Sequence, residues 1–468
     1  MPRLELLLLA LAPATAEPNG LARTPQMGWN PYNCLSSPTA TKAGCWPPTE
    51  EVLRATAAAL KKSGLQDLGY EYINLDGGWS VPARDNKTGR VQWNPAYYPS
   101  GIPAITKDFA AAGFKFGIYS DSGTLHCGGG APGGLGHEVI DAQTFADWGV
   151  QYLKYDNCFA ADCKLPNCGN DAPSTIARYT AMSEALNKTG KPILFSMCEW
   201  GDGDPAMWGP AVSNSWRTTA DISDVWVYMC ELADLTAQWF DRAGPGGWND
   251  PDLLEVGNKG MTTAEYRSQF SLWALMKAPL LISTSLANMT AETLAILSAK
   301  EIIAINQDSL GVAGRLVEER PPDPSLYQVW AGPLSGGRVA CVMWNRGNVT
   351  MSFFGRFVDM QLYGKVAVRD AWAGKDMGVA SGQITATVDS HDVKVFVLTP
   401  VNSTTEVPLL QERLARGASQ AEETRRDAAW AAQWKGHGIR VPQSRLKWEA
   451  SEQYKQPRPE ASRASRML

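Results

Sequence analysis

From about residue 25 to 308, short apolar runs alternate with longer stretches of helical character. The runs Tyr72–Leu75, Lys115–Tyr119, Tyr152–Tyr155, Ile193–Ser196 and Leu280–Ser283 have the length and the β-branched or aromatic content of buried strands. Between them Thr49–Ser63, Ile105–Ala112, Ala142–Trp148, Ile176–Asn187, Tyr228–Asp241 and Thr263–Met276 read as helices. Strand then helix, repeated over roughly 280 residues, predicts a parallel sheet with helical crossovers, and the length suits a (β/α)8 TIM barrel. After about residue 310 the runs shorten, often alternate, and are separated by Gly, Asn and Asp: Ser325–Trp330, Val339–Asn345, Val349–Phe354, Val366–Asp370, Gln383–Val388 and Val393–Thr399. That pattern predicts an antiparallel β-sandwich. The expected organisation is an α/β barrel over 17–310, a sandwich over 311–401 and a charged, disordered tail over 402–468.

The termini add a compartment. A basic Arg3, the apolar Leu6–Leu9 and the small-residue end Ala14-Thr15-Ala16 have the layout of a cleaved signal peptide over 1–16. The segment is shorter than the ~20 apolar residues that a membrane span needs. Five Asn-x-Ser/Thr sequons, at Asn86, Asn187, Asn288, Asn348 and Asn402, agree with an exported glycoprotein, secreted or delivered to a vacuole or lysosome. Export makes the nine cysteines readable as a disulfide framework with at least one free thiol. Cys163 and Cys168 could close a small loop.

Composition narrows the function classes. Of 468 residues 44% are hydrophobic and 19% charged, so a large core is available. The net charge of −5 argues against a nucleic-acid or anionic-membrane partner. Four His residues, none at zinc-motif spacing, argue against a His-rich metal site, and no cofactor is expected. Eighteen Trp residues suit a site with flat aromatic walls. From Thr405 onward the tail carries 12 basic and 8 acidic residues, leaving a body with 31 and 40. Nothing in these figures defines an oligomeric state.

Acidic residues recur just past the predicted strands: Asp76, Asp121, Asp156 and Glu199. The C-terminal ends of barrel strands are where such folds carry chemistry. In Lys154-Tyr155-Asp156 the alternation of a strand puts Lys154 and Asp156 on one face, and a cation beside a carboxylate keeps it ionised. This suits a nucleophile as well as a plain ion pair. Asp221, in Ser215-Trp216-Arg217-Thr218-Thr219-Ala220-Asp221, could sit poorly solvated near Trp rings and hold a proton, or simply cap a helix. Asp252, in Gly247-Trp248-Asn249-Asp250-Pro251-Asp252, could accept from sugar hydroxyls or belong to an Asp-Pro turn. One ionised and one protonated carboxyl is the arrangement of a glycosidase.

At these clusters the chain resembles a known family. Met27-Gly28-Trp29-Asn30, Leu75-Asp76, Gly117-Ile118-Tyr119-Ser120-Asp121, Lys154 to Cys158, Cys198-Glu199-Trp200, Trp216 to Asp221 and Gly247 to Asp252 follow the order of glycoside hydrolase family 27 α-galactosidases. Trp330 to Gly336 is similar to the plant-type members. The resemblance, over roughly residues 22–400, implies a retaining hydrolysis of terminal α-galactosyl residues in oligosaccharides, galactomannans or galactolipids. It implies Asp156 as nucleophile and Asp221 as acid/base. Trp29, Asp76, Tyr119, Lys154, Cys198, Glu199, Trp200, Arg217 and Asp252 match sugar-binding positions. Cys127 matches the disulfide partner of Cys158.

The chain departs from the family at Asp76-Gly77-Gly78-Trp79, where Asp-Asp-Cys-Trp is usual. Gly77 removes a carboxylate, and Gly78 removes the usual partner of Cys34, for which Cys45 is the expected substitute. Two rival readings follow: a β-L-arabinopyranosidase, whose sugar lacks the C6 arm, and a non-catalytic galactose-binding protein.

Overall fold

In a computed structural model, residues 19–36, 47–161, 163–319 and 326–401 are described. The signal-like segment, Cys45, the Asn402 sequon and the charged tail lie outside them. Eight parallel strands form one sheet in the order β7-β6-β5-β4-β3-β2-β1-β8. They are β1 (Met27–Trp29), β2 (Tyr72–Asn74), β3 (Lys115–Asp121), β4 (Tyr152–Asp156), β5 (Leu194–Cys198), β6 (Ser215–Arg217), β7 (Trp248–Asp250) and β8 (Leu280–Ile282). Leu254, just past β7, bridges Ile282 of β8 and closes the barrel. Helices over Glu50–Lys62, Ile102–Ala111, Glu138–Asp147, Ala172–Lys188, Trp226–Ala237 and Thr263–Leu275 lie between the strands, close to their expected positions.

The alternating register aligns the strand tips. Asp121 stands opposite Asp156 across β3 and β4, and Asp156 opposite Cys198 across β4 and β5. The barrel interior is tight enough to demand small residues. A Cβ on Gly117 would fall 1.9 Å from Asn74 Oδ1, and one on Gly28 would fall 2.3 Å from the Tyr72 carbonyl oxygen. Both glycines mark close approach of neighbouring strands.

Strands β1, β6 and β7 were not among the expected runs. Each spans three residues, too few to show a period. Burial is instead what marks them, since all three are buried throughout.

The second region holds β9 (Arg315–Glu319), β10 (Tyr327–Leu334), β11 (Arg338–Asn345), β12 (Met351–Arg356), β13 (Lys365–Asp370), β14 (Lys375–Ser381), β15 (Gln383–Val388) and β16 (Val393–Pro400). Six of them form an antiparallel sheet, β14-β13-β16-β11-β10-β9, faced by the pair β12-β15. The exposed β14 and the short β9 lacked the expected alternation. In β11 the two-residue period splits one strand between two cores. Val339, Cys341 and Met343 join the sandwich interior, whereas Ala340, Val342 and Trp344 join the barrel's core. The helix Thr263–Leu275 is caught between these layers and is buried nearly all round. Arg267 and Asp392 pair across the same seam.

Candidate active site

Strand β4 delivers Lys154 and Asp156 to the barrel mouth on one face, while Tyr155 turns outward to pack on Tyr179 and Phe195. Asp156 is buried, accepts from the Tyr119 hydroxyl at 2.8 Å, and takes its neighbour's Asn157 N–H at 3.0 Å. Burial pushes its carboxyl up to about 6; the Lys154 cation pulls against that and the Asp221 charge adds to it. The two carboxyls therefore act on one another across the mouth.

Lys154 Nζ donates to Asp76 Oδ2 at 2.7 Å, and Asn30 Nδ2 donates to the same oxygen at 3.0 Å. Asp76, Lys154, Tyr119 and Asp156 thus form one polar cluster on the β2–β4 side. Trp29 is buried beneath the mouth, its indole N–H donating to the Thr284 carbonyl. Cys127 and Cys158 form a disulfide, 5.2 Å between Cα atoms, joining the loops that follow β3 and β4. The Asp121 carboxylate accepts from the Gly123 and Cys158 N–H groups at the base of that clip. Cys163 and Cys168 are also bridged, and Cys34 is disulfide-bonded.

The β6 side is built around Arg217. Its guanidinium is buried, lies 3.0 Å from Asp252 Oδ2, donates to Asp221 Oδ1 at 3.2 Å and to the Cys198 thiol at 3.3 Å. Removing either partner of the buried Arg217–Asp252 pair would cost about 3–5 kcal/mol. Asp252 sits at φ 85°, a strained position for a side-chain-bearing residue. It is held there because its N–H donates to Asp250 Oδ1, its Oδ2 accepts from Ile222 N–H, and its carbonyl accepts from the Trp273 indole. Asp250 is buried beneath this pair, and burial pushes it up to about 6.

Glu199 is wholly buried, and its carboxylate makes no hydrogen bond to another described residue; burial pushes its pKa well upward while the Arg217 cation pulls against it. Cys198 is a free, buried thiol at the end of β5, and Trp200 follows at φ 60°.

The expected apolar setting of Asp221 is not found. Its side chain is 45% exposed and is paired with Arg217, because it lies four residues beyond β6 on a loop and not at a strand end. Trp216 is buried instead against Gly209 and Gly247.

Three contributors escaped the sequence reading. Tyr32 covers Lys154, with its ring 5.0 Å from Nζ, and stays 37% exposed at the rim. Asn30 and Asp250 lay inside motifs already noted but gave no sign of the contacts they make.

A closed parallel barrel with two interacting carboxyls, a lysine and an arginine at its mouth is the site of a glycoside hydrolase. Comparison gives the family. The model for α-galactosidase A matches residues 24–308, and that for the α-galactosidase C-terminal β-sandwich matches 325–398. The chain belongs to the α-galactosidase A family. It is 49% identical to an α-galactosidase of Oryza sativa subsp. japonica over 385 residues, 82% of this chain and 86% of that one. The solved α-galactosidase I of Mortierella vinacea is 32% identical, with a TM-score of 0.75, over 83% of this chain and 100% of that one. A β-L-arabinopyranosidase of Geobacillus stearothermophilus, 21% identical with a TM-score of 0.71 over 82% of this chain and 98% of that one, shares the fold.

Proposed function

We propose that the protein is a retaining exo-α-galactosidase in which Asp156 is the nucleophile and Asp221 the acid/base. The observation that carries the reading is the pairing itself: a buried Asp156 held by Tyr119, and an accessible Asp221 held by Arg217, each within reach of the other's charge.

In the first step Asp156 forms a bond to the anomeric carbon as the glycosidic C–O bond breaks. The Asp221 proton passes to the departing oxygen. In the second, Asp221 takes a proton from water while the water oxygen displaces Asp156, releasing galactose and restoring both groups. A retaining pathway places the two carboxyls ~5–5.5 Å apart. Accelerations of up to ~10¹⁷ correspond to ~23 kcal/mol, so oriented contacts to the sugar contribute beside the covalent step. Trp29, Asp76, Tyr119, Lys154, Cys198, Glu199, Trp200, Arg217 and Asp252 supply them.

A 2-deoxy-2-fluoro galactosyl donor tests this directly. Peptide mass spectrometry should find the sugar on Asp156. Galactose binding without adduct or turnover would leave the non-catalytic reading standing.

A second reading has one observation in its favour. Among the described residues a Cβ on Gly77 would meet nothing nearer than the Tyr119 ring edge at 3.8 Å, so no described side chain crowds the position beside Asp76. A site without that carboxylate loses a contact to galactose and little to a β-L-arabinopyranoside. Comparing the two nitrophenyl glycosides decides between them. The disulfides and the signal-like start support passage through the secretory pathway. No helix among the described residues is long and apolar enough to cross a membrane.

A further inference from the structure

The loop that carries Asp221 is anchored far from the sugar. Along 221–227 the exposure alternates: Asp221, Ser223, Val225 and Val227 are exposed, while Ile222 is buried and Asp224 and Trp226 are partly buried. The inward residues each make a tie. Ile222 N–H donates to Asp252 Oδ2 at 2.8 Å. The Asp224 carboxylate accepts from the Tyr266 hydroxyl at 2.8 Å and from Gly260 N–H. The Trp226 ring stacks on the His391 imidazole, 4.7 Å between centroids and 20° between planes.

His391 belongs to the turn between β15 and β16 of the sandwich. Its Nδ1 donates to Glu265 Oε1 at 2.7 Å, and its carbonyl accepts from the Ser268 hydroxyl at 2.7 Å. Glu265 is also the third residue of the helix Thr263–Leu275 and closes its capping box with Thr262. Consecutive residues of one helix start thus hold two different regions. Glu265 takes the sandwich's His391, and Tyr266 takes the loop's Asp224.

We infer that His391, Glu265, Tyr266, Asp224 and Trp226 are positioning residues that let the β-sandwich hold the general acid in place over the barrel. None of them touches the reacting atoms by this account. They act through Asp221, whose side chain pairs with Arg217 inside the mouth. The inference rests on the acid/base role proposed for Asp221. It gives the second region a part in proton delivery and not only in covering the barrel.

A positioning role is separable from a structural one by leaving group. A dinitrophenolate departs without protonation, whereas an alkyl alcohol does not. Tyr266→Phe removes one hydroxyl, and His391→Ala removes the stack and the bond to Glu265. For each, kcat/KM is measured on dinitrophenyl and methyl α-galactosides, with azide added to the first. We expect methyl galactoside hydrolysis to fall by roughly tenfold or more, part of the ~10²–10⁴ that general acid catalysis supplies, while the activated substrate changes by less than about threefold. Azide should speed release of the galactosyl-enzyme in the variants and not in the parent. An equal fall on both substrates, or no fall in either variant, overturns the inference. If His391→Ala does not fold, Tyr266→Phe carries the test alone. If the parent protein hydrolyses neither galactoside, it is the proposed function that has failed.

Discussion

Asp156 and Asp221 reach one mouth by different means. Asp156 closes a five-residue strand whose register is locked to β3 and β5, and it is buried beneath hydrogen bonds from Tyr119 and its own neighbour. Asp221 hangs beyond a three-residue strand, 45% exposed, on a loop tied down at Ile222, Asp224 and Trp226. A group that must form a bond gains from a fixed position. A group that must give a proton to aglycones of differing shape, then take one from water, needs access. The same cavity thus draws rigidity from the sheet on one side and from remote contacts on the other.

The largest test of the contrast is Asp156→Asn. It should lower kcat by ~10⁴-fold or more, with galactose affinity retained in calorimetry. The same change should stabilise the fold at pH 7. Burial raises this carboxyl to about 6, so keeping it ionised in the native state costs about 3 kcal/mol relative to the unfolded chain. The parent recovers that stability as the pH falls through 6 toward 4, so the melting-temperature advantage of the variant should vanish there.

Next in size, Asp221→Ala should cost ~10²–10⁴ on alkyl galactosides and far less on activated ones. The acidic limb of the pH profile should move to lower pH, because the Asp221 charge is one of the influences that hold Asp156 up. An equal loss on activated and alkyl galactosides would refute the acid role.

Gly77→Asp restores a carboxylate beside the Tyr119 ring, which its Cβ would meet at an ordinary 3.8 Å. A charged hydrogen bond contributes ~1.5–3 kcal/mol, so preference for α-galactoside over β-L-arabinopyranoside should rise by roughly 10- to 150-fold. An unchanged ratio would mean that the space is not used by the sugar. Lys154→Met breaks the buried pair with Asp76 and removes a proposed sugar contact, so affinity and stability should fall; the smallest part of its effect is a shift of profile, the acidic limb moving above about 6 as the cation that lowers the Asp156 pKa is lost.

What could be read from the chain divides along the same line. Strands β2, β3, β4, β5 and β8 were legible because each presents an apolar run ending in a polar residue. The acidic tips at Asp76 and Asp156 followed directly, and strand alternation put Lys154 on the correct face. Strands β1, β6 and β7 were not legible, since three residues rich in Gly, Trp, Asn and Arg show no period. Asp221 could be expected on a loop above the barrel, but with β6 unseen the exposure of that loop was misjudged. Tyr32 gave no signal because its role depends on where Lys154 ends, 122 positions away in the chain. The exposed β14 shows the converse: backbone pairing alone makes it a strand, with few buried side chains to announce it.

The bridge between Cys127 and Cys158 has a practical corollary. It fastens the rim at the point where the proposed nucleophile's strand ends, so manufacture in a reducing cytosol would yield intact secondary structure around a loosened crater. Host cells that oxidise their cargo should return more active enzyme per milligram than those that do not, with the deficit cured by refolding in a glutathione couple.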